Sequence, residues 1–253
     1  MADSDVDRHP VAVVTGASSG LGRAVALRLA TDGHRVALLA RGADDLAAVA
    51  AEVERSGGTA LARTVDLADA GSSEAAIDQV VGAWGRVDVL VNAAGTDVPG
   101  TVEQTTVEDW DRVLAVNLRA PFVLSRAVFP HMRSAGGGTI VNVSSVAGLR
   151  GWGSAAAYCA SKFGLTGFTQ ALAAEGRAHG IRACVLYPGA MATSWGVWGP
   201  GARRAAATGD APDPRDALPP ERVADLVAWL VQAPGELVLN EVTVTPLHEQ
   251  GWP

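Results

Sequence analysis

The stretch VAVVTGASSGLGRAVALRLATDGHRVALLA, which runs from Val11 to Ala40, decides the fold of this chain. Its first five residues are apolar and mostly β-branched, as in a buried strand. A glycine-rich turn follows, and then Val25, Ala26 and Leu29 recur at helical spacing before HRVALLA forms a second apolar segment. The order strand, glycine turn, helix, strand predicts one βαβ unit of a parallel sheet.

The turn inside this unit, GASSGLG, carries Gly16, Gly20 and Gly22 in the spacing Gly-x-x-x-Gly-x-Gly. Glycines let the backbone turn sharply there and approach a pyrophosphate at the positive end of the following helix. A glycine-rich turn by itself also simply ends a strand. Its position between a strand and a helix favours the second interpretation, a dinucleotide site.

Strands and helices keep alternating after this unit. Apolar residues recur at helical spacing over Asp44–Arg55 and Ser72–Trp84, and the predicted strands TALARTV and VDVLVNAAG follow them. Strands that alternate with helices of about 10–15 residues predict an α/β fold of the Rossmann type, a doubly wound parallel sheet of about seven strands with helices on both faces. We expect one domain over residues 1–253.

Four polar or glycine residues lie at or just past the predicted strand ends: Gly16, Arg41, Asp66 and Asn92. The carboxyl ends of parallel strands meet at one edge of the sheet, and open α/β sheets bind their ligands there. We therefore expect these residues to form one site.

The residues after the second strand predict the cofactor. An NAD site usually has an acidic side chain there, which binds the ribose 2′-hydroxyl. This chain has Ala40 followed by Arg41, and an arginine suits a 2′-phosphate. NADP(H) is thus the predicted cofactor. NAD(H) stays the alternative, because Ser19 in the turn is not basic and leaves Arg41 as the single positive group.

Composition and charge argue against several classes of partner. The net charge is −7, the pI is near 5.2, and no block of Lys and Arg accumulates, so we expect neither a nucleic acid nor a membrane as partner. No apolar run approaches the ~20 residues of a membrane span, and the polar start MADSDVDRHP is unlike a signal peptide. Two cysteines make no disulfide framework. The five histidines lack metal-ligand spacing. We expect a cytoplasmic protein without a metal.

A second informative segment runs from Ser144 to Lys162, SSVAGLRGWGSAAAYCASK. Tyr158 and Lys162 are four residues apart in its helical part, which places them on one face, one turn apart. A phenol ionises near pH ~10, and a nearby ammonium would lower its pKa and make Tyr158 a proton carrier. The hydroxyl of Ser145 would bind a substrate oxygen beside the phenol. Such a Tyr–Lys pair alone is commonly a surface pair, so the catalytic interpretation requires a hydride donor.

These motifs together resemble the short-chain dehydrogenase/reductase family of the single-domain type. TGASSGLG is similar to the family's cofactor turn, NAAG to its Asn-Asn-Ala-Gly motif with Ala93 in place of one Asn, and PGAMAT to its Pro-Gly turn after the sixth strand. The resemblance extends from about Val11 to Val244. It implies a cofactor site made of Gly16, Ser18, Ser19, Gly20, Leu21, Gly22, Arg41, Asp66, Leu67, Asn92, Ala93, Gly95, Tyr158, Lys162, Pro188, Gly189 and Thr193.

The resemblance also implies a catalytic set of Asn117, Ser145, Tyr158 and Lys162. Tyr158 would be the general acid in reduction and the base in oxidation. Lys162 would hold the nicotinamide ribose and lower the pKa of the phenol, Ser145 would orient the substrate oxygen, and Asn117 would anchor a water that links Lys162 to solvent.

The second half of the chain predicts the assembly and the substrate pocket. A long helix is expected over Thr106–Arg133, with Pro121 as the candidate position for a break, and a shorter one over Pro220–Gln232, before a last strand ELVLNEVTVTP. The resemblance implies a homotetramer, or alternatively a dimer, through the long helix and the helix of Tyr158. A Gly- and Pro-rich flap over residues 193–220 would cover the site. Apolar walls for the substrate are expected from Trp152, Trp195 and Trp198, whose alternative role is packing.

The predicted function is an NADP(H)-dependent oxidoreductase that interconverts a ketone or aldehyde with an alcohol, with a small molecule as substrate. A catalytically silent dinucleotide-binding sensor is the alternative, and an isomerase or dehydratase that retains the nucleotide is a third. The chain lacks the family's usual Val-Asp-Gly-Gly ending, and its tail, residues 245–253, could reach a neighbouring subunit's site.

Overall fold

Seven parallel strands form one sheet in the computed structural model, which describes residues 9–193 and 212–249. The spatial order is β3-β2-β1-β4-β5-β6-β7, with the crossover between the two halves at β1 and β4. This confirms the predicted doubly wound α/β sheet of the Rossmann type. The strands are β1 Val11–Thr15, β2 Arg35–Ala40, β3 Thr59–Thr64, β4 Val89–Asn92, β5 Gly138–Val143, β6 Ile181–Pro188 and β7 Glu241–Val244.

Helices cover both faces of this sheet. They are α1 Gly20–Thr31, α2 Ala43–Arg55, α3 Ala70–Trp84, α4 Val107–Leu114, α5 Ala120–Ser134, α6 Ala156–Gly176 and α7 Pro220–Gln232. Helices α1, α2 and α7 contribute to one apolar layer, and α3, α5 and α6 contribute to the other. The strands between two layers are buried on both faces: Val11 and Val13 pack into one layer, Ala12 and Val14 into the other.

The long helix differs from the prediction. A π-turn over Ala115–Arg119 joins α4 to α5, and the chain stays helical from Val107 to Ser134. The chain does not leave the helix at Pro121, and the interruption of the regular α-helix lies just before it, in the π-turn. Pro121 lies in the first turn of α5, next to the π-turn, where a residue without an N–H disturbs the helical hydrogen bonds least.

This helical stretch, Val107–Ser134, is the one in the described residues that is long and apolar enough to cross a membrane by length and composition alone. Half of its most apolar window is buried inside the protein. The stretch packs against other helices, α5 on α3 and α4 on α6. It is therefore a helix of the protein core, and core helices also meet these criteria of length and composition.

The last strand is shorter than predicted. Of ELVLNEVTVTP only Glu241–Val244 pairs with β6. Leu237 and Val238, upstream of it, are exposed. An edge strand has a neighbour on one side only, so apolar composition alone does not extend its pairing. Helix α7 begins and ends as predicted.

Candidate active site

Ser145 and Tyr158 meet at the carboxyl end of β5. The strand ends at Val143, and Ser145 begins a short 3₁₀ turn, in which its hydroxyl accepts a hydrogen bond from the backbone N–H of Ala147 at 3.1 Å. Helix α6 begins at Ala156 and therefore carries Tyr158 in its first turn. The side chains of Ser145 and Tyr158 are hydrogen-bonded to each other. The structure thus brings together the two hydroxyls that the sequence predicted as neighbours.

Lys162 lies one turn further along α6 and is the only lysine of the chain. Its ammonium is buried, with the residue 3 % exposed, and donates a hydrogen bond to the carbonyl oxygen of Val143 at 2.8 Å. The Nζ atom lies 5.6 Å from the centre of the Tyr158 ring, within the distance of a cation–π contact. Lys162 therefore ties α6 to the end of β5 and sets the position of the phenol.

The pKa values of this pair differ from the sequence-based expectation. Burial raises the pKa of the Tyr158 phenol, the hydrogen bond from Ser145 opposes this, and the carboxylate of Asp97 raises it further. Burial also lowers the pKa of Lys162 to about 8. The predicted lowering of the phenol pKa is thus wrong for the protein by itself, because burial favours the neutral form of both groups.

Exchange of Lys162 for methionine is expected to change how stability depends on pH. The folded pKa of about 8 lies below the ordinary 10.5, so at intermediate pH the unfolded chain binds a proton that the folded chain has lost. Between pH 7 and 9.5 the wild type should therefore gain about 2 kcal/mol of unfolding free energy relative to Lys162→Met. Urea unfolding of both proteins without cofactor measures this difference, from which all shared groups cancel. Parallel pH curves would contradict the buried, depressed lysine.

Asn117 lies in the π-turn and connects three parts of the site. Its side-chain oxygen accepts from the backbone N–H of Thr96 at 2.8 Å, and its side-chain nitrogen donates to the Thr96 carbonyl at 2.8 Å and to the Ser161 hydroxyl at 3.0 Å. The side chain thus fastens the loop after β4 to α6. Its role as an anchor for a water beside Lys162 stays a prediction.

The glycine turn has the shape that a pyrophosphate needs. Gly16 and Gly20 have positive φ angles of 66° and 52°. A Cβ on Gly16 would lie 2.9 Å from Ala94 Cα, and one on Gly22 would lie 2.8 Å from the Thr15 carbonyl oxygen and collide with that of Gly16. Helix α1 begins behind this turn, and Ser19 makes no side-chain cap to it. The N–H groups at the positive end of α1 therefore suit an anionic group, and the residues present fit a dinucleotide.

The other predicted cofactor residues lie along the same edge of the sheet. Arg41 directly follows β2 and is exposed, and Asp66 lies just past β3 and accepts from the Ala68 N–H at 3.0 Å. Asn92 ends β4 opposite Asn142 of β5 and donates to its side chain at 2.8 Å. Thr193, after β6, lies beside Gly20: a Cβ added to Gly20 would be 3.4 Å from the methyl group of the Thr193 side chain. The remaining members of the predicted set are Ser18, Leu21, Leu67, Ala93, Gly95, Pro188 and Gly189.

The substrate side of the site is described in part. Trp152 lies in the loop before α6 and is 48 % exposed, so its predicted role as a wall stays a prediction. Trp195 and Trp198, and most of the predicted flap over 193–220, lie outside the described residues. No group of three or more His, Cys, Asp or Glu within 9–193 and 212–249 could hold a metal ion.

Two acidic residues of this region escaped the sequence analysis. Asp97 acts electrostatically on Tyr158, and Glu249 accepts a hydrogen bond from the Ala190 N–H at 2.8 Å. The described part of the C-terminal tail thus folds onto the Pro-Gly turn of its own chain. A carboxylate two residues after the NAAG motif was a usable signal for Asp97. Glu249 and Ala190 are 59 residues apart in the sequence, so no local sequence pattern predicts their contact.

Comparison with known proteins agrees with this arrangement. The family model described as short chain dehydrogenase matches residues 10–197. The chain is 41 % identical to the D-threitol dehydrogenase of Mycolicibacterium smegmatis over 186 residues, 74 % of this chain and 72 % of that protein.

Solved structures are similar over nearly the whole length. A metagenomic short-chain oxidoreductase in complex with NADP has a TM-score of 0.81 and 36 % identity, with 95 % of this chain and 98 % of that one covered. The alcohol dehydrogenase of the archaeon Thermococcus sibiricus, complexed with 5-hydroxy-NADP, has a TM-score of 0.86 and 26 % identity, covering 96 % and 99 %. The matched family model, the identity to a curated dehydrogenase and the order of the site motifs lead to one conclusion: this chain belongs to the short-chain dehydrogenase/reductase family.

Proposed function

We propose that the protein is an NADP(H)-dependent oxidoreductase that interconverts a ketone or aldehyde with an alcohol, and that Tyr158 is its general acid and base. The observation that carries this proposal is the hydrogen bond between the hydroxyls of Ser145 and Tyr158. Lys162, bonded to the end of β5, lies beside this pair, and the glycine turn lies at the same edge of the sheet. A carbonyl oxygen at these two hydroxyls would receive a proton as its carbon receives hydride.

Each member of the site has a defined task in this reaction. Bound NADP(H) supplies or accepts the hydride. Tyr158 donates its phenolic proton to the carbonyl oxygen in reduction and takes it back in oxidation. Ser145 orients that oxygen and stabilises the charge that develops on it. Burial raises the pKa of the phenol, so Tyr158 holds its proton at neutral pH, as the acid of the reduction must.

Lys162 supplies the positive charge for the reverse direction. Its ammonium lies 5.6 Å from the centre of the phenol ring, and a positive charge stabilises a phenolate. The resemblance implies that the same ammonium binds the nicotinamide ribose. A single group would then position the cofactor and assist the base.

The preference for NADP(H) is supported by the end of β2. Ala40 takes the place of an acidic residue there, and the exposed Arg41 follows. Arg41 takes part in no salt bridge within the described residues, so its guanidinium is available to a 2′-phosphate. Two structural neighbours were solved with NADP or a derivative of it.

The exchange Arg41→Ala tests this preference. We expect the wild type to bind NADPH at least about 10-fold more tightly than NADH, because an arginine forms charge-assisted hydrogen bonds with a phosphate. Arg41→Ala should weaken NADPH binding roughly 10- to 100-fold and leave NADH binding within about twofold. Fluorescence titration measures the four dissociation constants. Arg55→Ala, which removes an exposed arginine at the end of α2, is the control. Tighter binding of NADH by the wild type would overturn the assignment.

The activity itself is tested by the decay of NADPH absorbance with a panel of ketones and aldehydes. Turnover of any of them, lost in Tyr158→Phe, supports the proposed oxidoreductase. Binding of NADPH without turnover of any carbonyl, or of any alcohol with NADP⁺, would favour the silent sensor.

We propose in addition that the protein is a cytoplasmic homotetramer. The exposed faces of α5 and α6 carry Phe122 and Phe163, which are 45 % and 46 % exposed, and Phe122 contacts Phe168 edge to face. An apolar surface of this kind supports a contact between copies of the chain. Sedimentation velocity of the full chain gives its mass, and a monomer at micromolar concentration would contradict the proposal.

A further inference from the structure

The loop after β4 carries Asp97 to the phenol of Tyr158. On one side of Asp97, both backbone groups of Thr96 are bonded to the side chain of Asn117. On the other side, the N–H of Gly100 donates to the Ser154 carbonyl at 3.0 Å, and Gly100 pairs with Ala155 in an isolated parallel bridge. Asp97 is thus held between an anchor in the π-turn and a second anchor at Ser154 and Ala155, just before α6 begins.

The carboxylate of Asp97 is fixed and lacks a cation. One of its oxygens accepts a hydrogen bond from the Val98 N–H at 2.7 Å, which holds the side chain in place. The residue is half-buried, and burial raises its pKa. No salt bridge among residues 9–193 and 212–249 includes it. A carboxylate that is half-buried and has no cation beside it is stabilised when its remaining oxygen accepts a hydrogen bond.

The loop of Asp97 is fastened to Ala155, which packs with Tyr158 in one buried cluster, and this brings the carboxylate near the phenol. It is close enough to Tyr158 to raise the pKa of the phenol, next to the effects of burial, Ser145 and Cys159, while Lys162 faces the ring from the same helix. A substrate whose carbonyl oxygen lies at the phenol therefore reacts within the field of Asp97. An ionised carboxylate only accepts hydrogen bonds and repels anions.

We propose that Asp97 determines specificity by binding a hydrogen-bond donor, a second hydroxyl or an ammonium group, that the substrate carries close to its reacting carbon. The proposal rests on the proposed function and names the substrate class of the same site: hydroxyketones and diols, or their amino counterparts. It disfavours substrates with a carboxylate next to the carbonyl.

Four matched ketones test this assignment with NADPH: α-hydroxyacetophenone, α-aminoacetophenone, acetophenone and benzoylformate. They differ only in the group attached to the carbonyl carbon beside the phenyl ring, which is a hydroxymethyl, an ammoniomethyl, a methyl or a carboxylate. We expect the wild type to reduce a donor-bearing ketone with a kcat/KM at least about 10-fold above that for acetophenone, and benzoylformate most slowly, because a charged acceptor strengthens a hydrogen bond.

Two exchanges separate the possible donors. Asp97→Ala should lower the kcat/KM for the preferred donor-bearing ketone roughly 10- to 100-fold and leave that for acetophenone within about threefold. Asp97→Asn keeps an acceptor oxygen without the charge, so a preference for the hydroxyl should largely survive and one for the ammonium should disappear. Both should improve turnover of benzoylformate. Glu103→Gln, an exposed acid three residues past Gly100, is the control and should change none of these values by more than about twofold.

A pH profile distinguishes recognition by charge from a merely structural role. Removal of the Asp97 charge in Asp97→Asn should move the rise of alcohol oxidation with increasing pH to lower pH, because the negative charge that raises the pKa of Tyr158 is gone. Equal losses on all four ketones, or a wild type that reduces acetophenone as fast as its hydroxy and amino derivatives, would overturn the inference alone. Absence of turnover with all four ketones and with their alcohols would overturn the proposed function with it.

Discussion

Tyr158→Phe is expected to lower kcat about 1,000-fold and to leave the dissociation constant of NADPH within about twofold. The exchange removes one hydroxyl, which is bonded to Ser145 and stands where the carbonyl oxygen would bind. Without it the reaction lacks its proton donor, since Lys162 is occupied by the Val143 carbonyl. The ring remains and keeps filling the pocket formed with Ala147, Ala155 and Cys159. Stopped-flow measurement of the hydride step and titration with NADPH give the two quantities separately.

The only other tyrosine of the chain supplies a matched control. Tyr187 is buried in β6 with its hydroxyl 3.3 Å from a carboxylate oxygen of Glu241. Tyr187→Phe makes the same chemical change away from the site and should keep kcat within about twofold, at a loss of roughly 1 kcal/mol of stability or less. If Tyr158→Phe retained more than a tenth of the wild-type kcat, another group would have to be the acid.

The exchange Gly22→Ala is expected to destabilise the protein by about 3 kcal/mol and to abolish cofactor binding at micromolar NADPH. A Cβ at this position would collide with the Gly16 carbonyl and lie 2.8 Å from that of Thr15. Both obstacles are backbone atoms in the turn itself, so the collision is relieved only if the turn opens. An opened turn separates the N–H groups at the start of α1 from the phosphate position. Urea unfolding and NADPH titration of the same preparation measure both effects.

Gly82→Ala is the matched control for this exchange. Gly82 lies inside α3, is exposed, and has no atom within 4 Å of the position of an added Cβ. Alanine is the better helix former, so Gly82→Ala should stabilise the protein by roughly 0.5–1 kcal/mol. A loss of less than about 1 kcal/mol in Gly22→Ala would show that the turn yields easily and that Gly22 is not required for close approach.

Much of the fold and of the candidate site was predictable because it depends on local rules. Buried parallel strands are apolar on both faces, and their alternation with helices identifies the sheet. Helix α7 was predicted over its full range, and α2 to within one residue. The site followed from the same rules, since Gly16, Arg41, Asp66 and Asn92 all lie where strands end, and parallel strands end on one edge.

Other features depend on contacts between distant segments. The π-turn at Asn117 exists where the side chain reaches Thr96 and Ser161, and the C-terminal tail is tied to Ala190 by Glu249. Neither contact joins neighbours along the chain, so no periodicity or turn signal encodes it.

The amino-acid order alone determined which residues bear the chemistry and at which strand ends they stand, because secondary structure and chain crossover follow from neighbouring residues. Only the tertiary structure decided the electrostatics: burial raises the pKa of the Tyr158 phenol, burial lowers the pKa of Lys162 to about 8, and the carboxylate of Asp97 acts on the phenol. A pKa depends on how much water reaches a group and on every charge around it, and those distances exist only once the chain has folded.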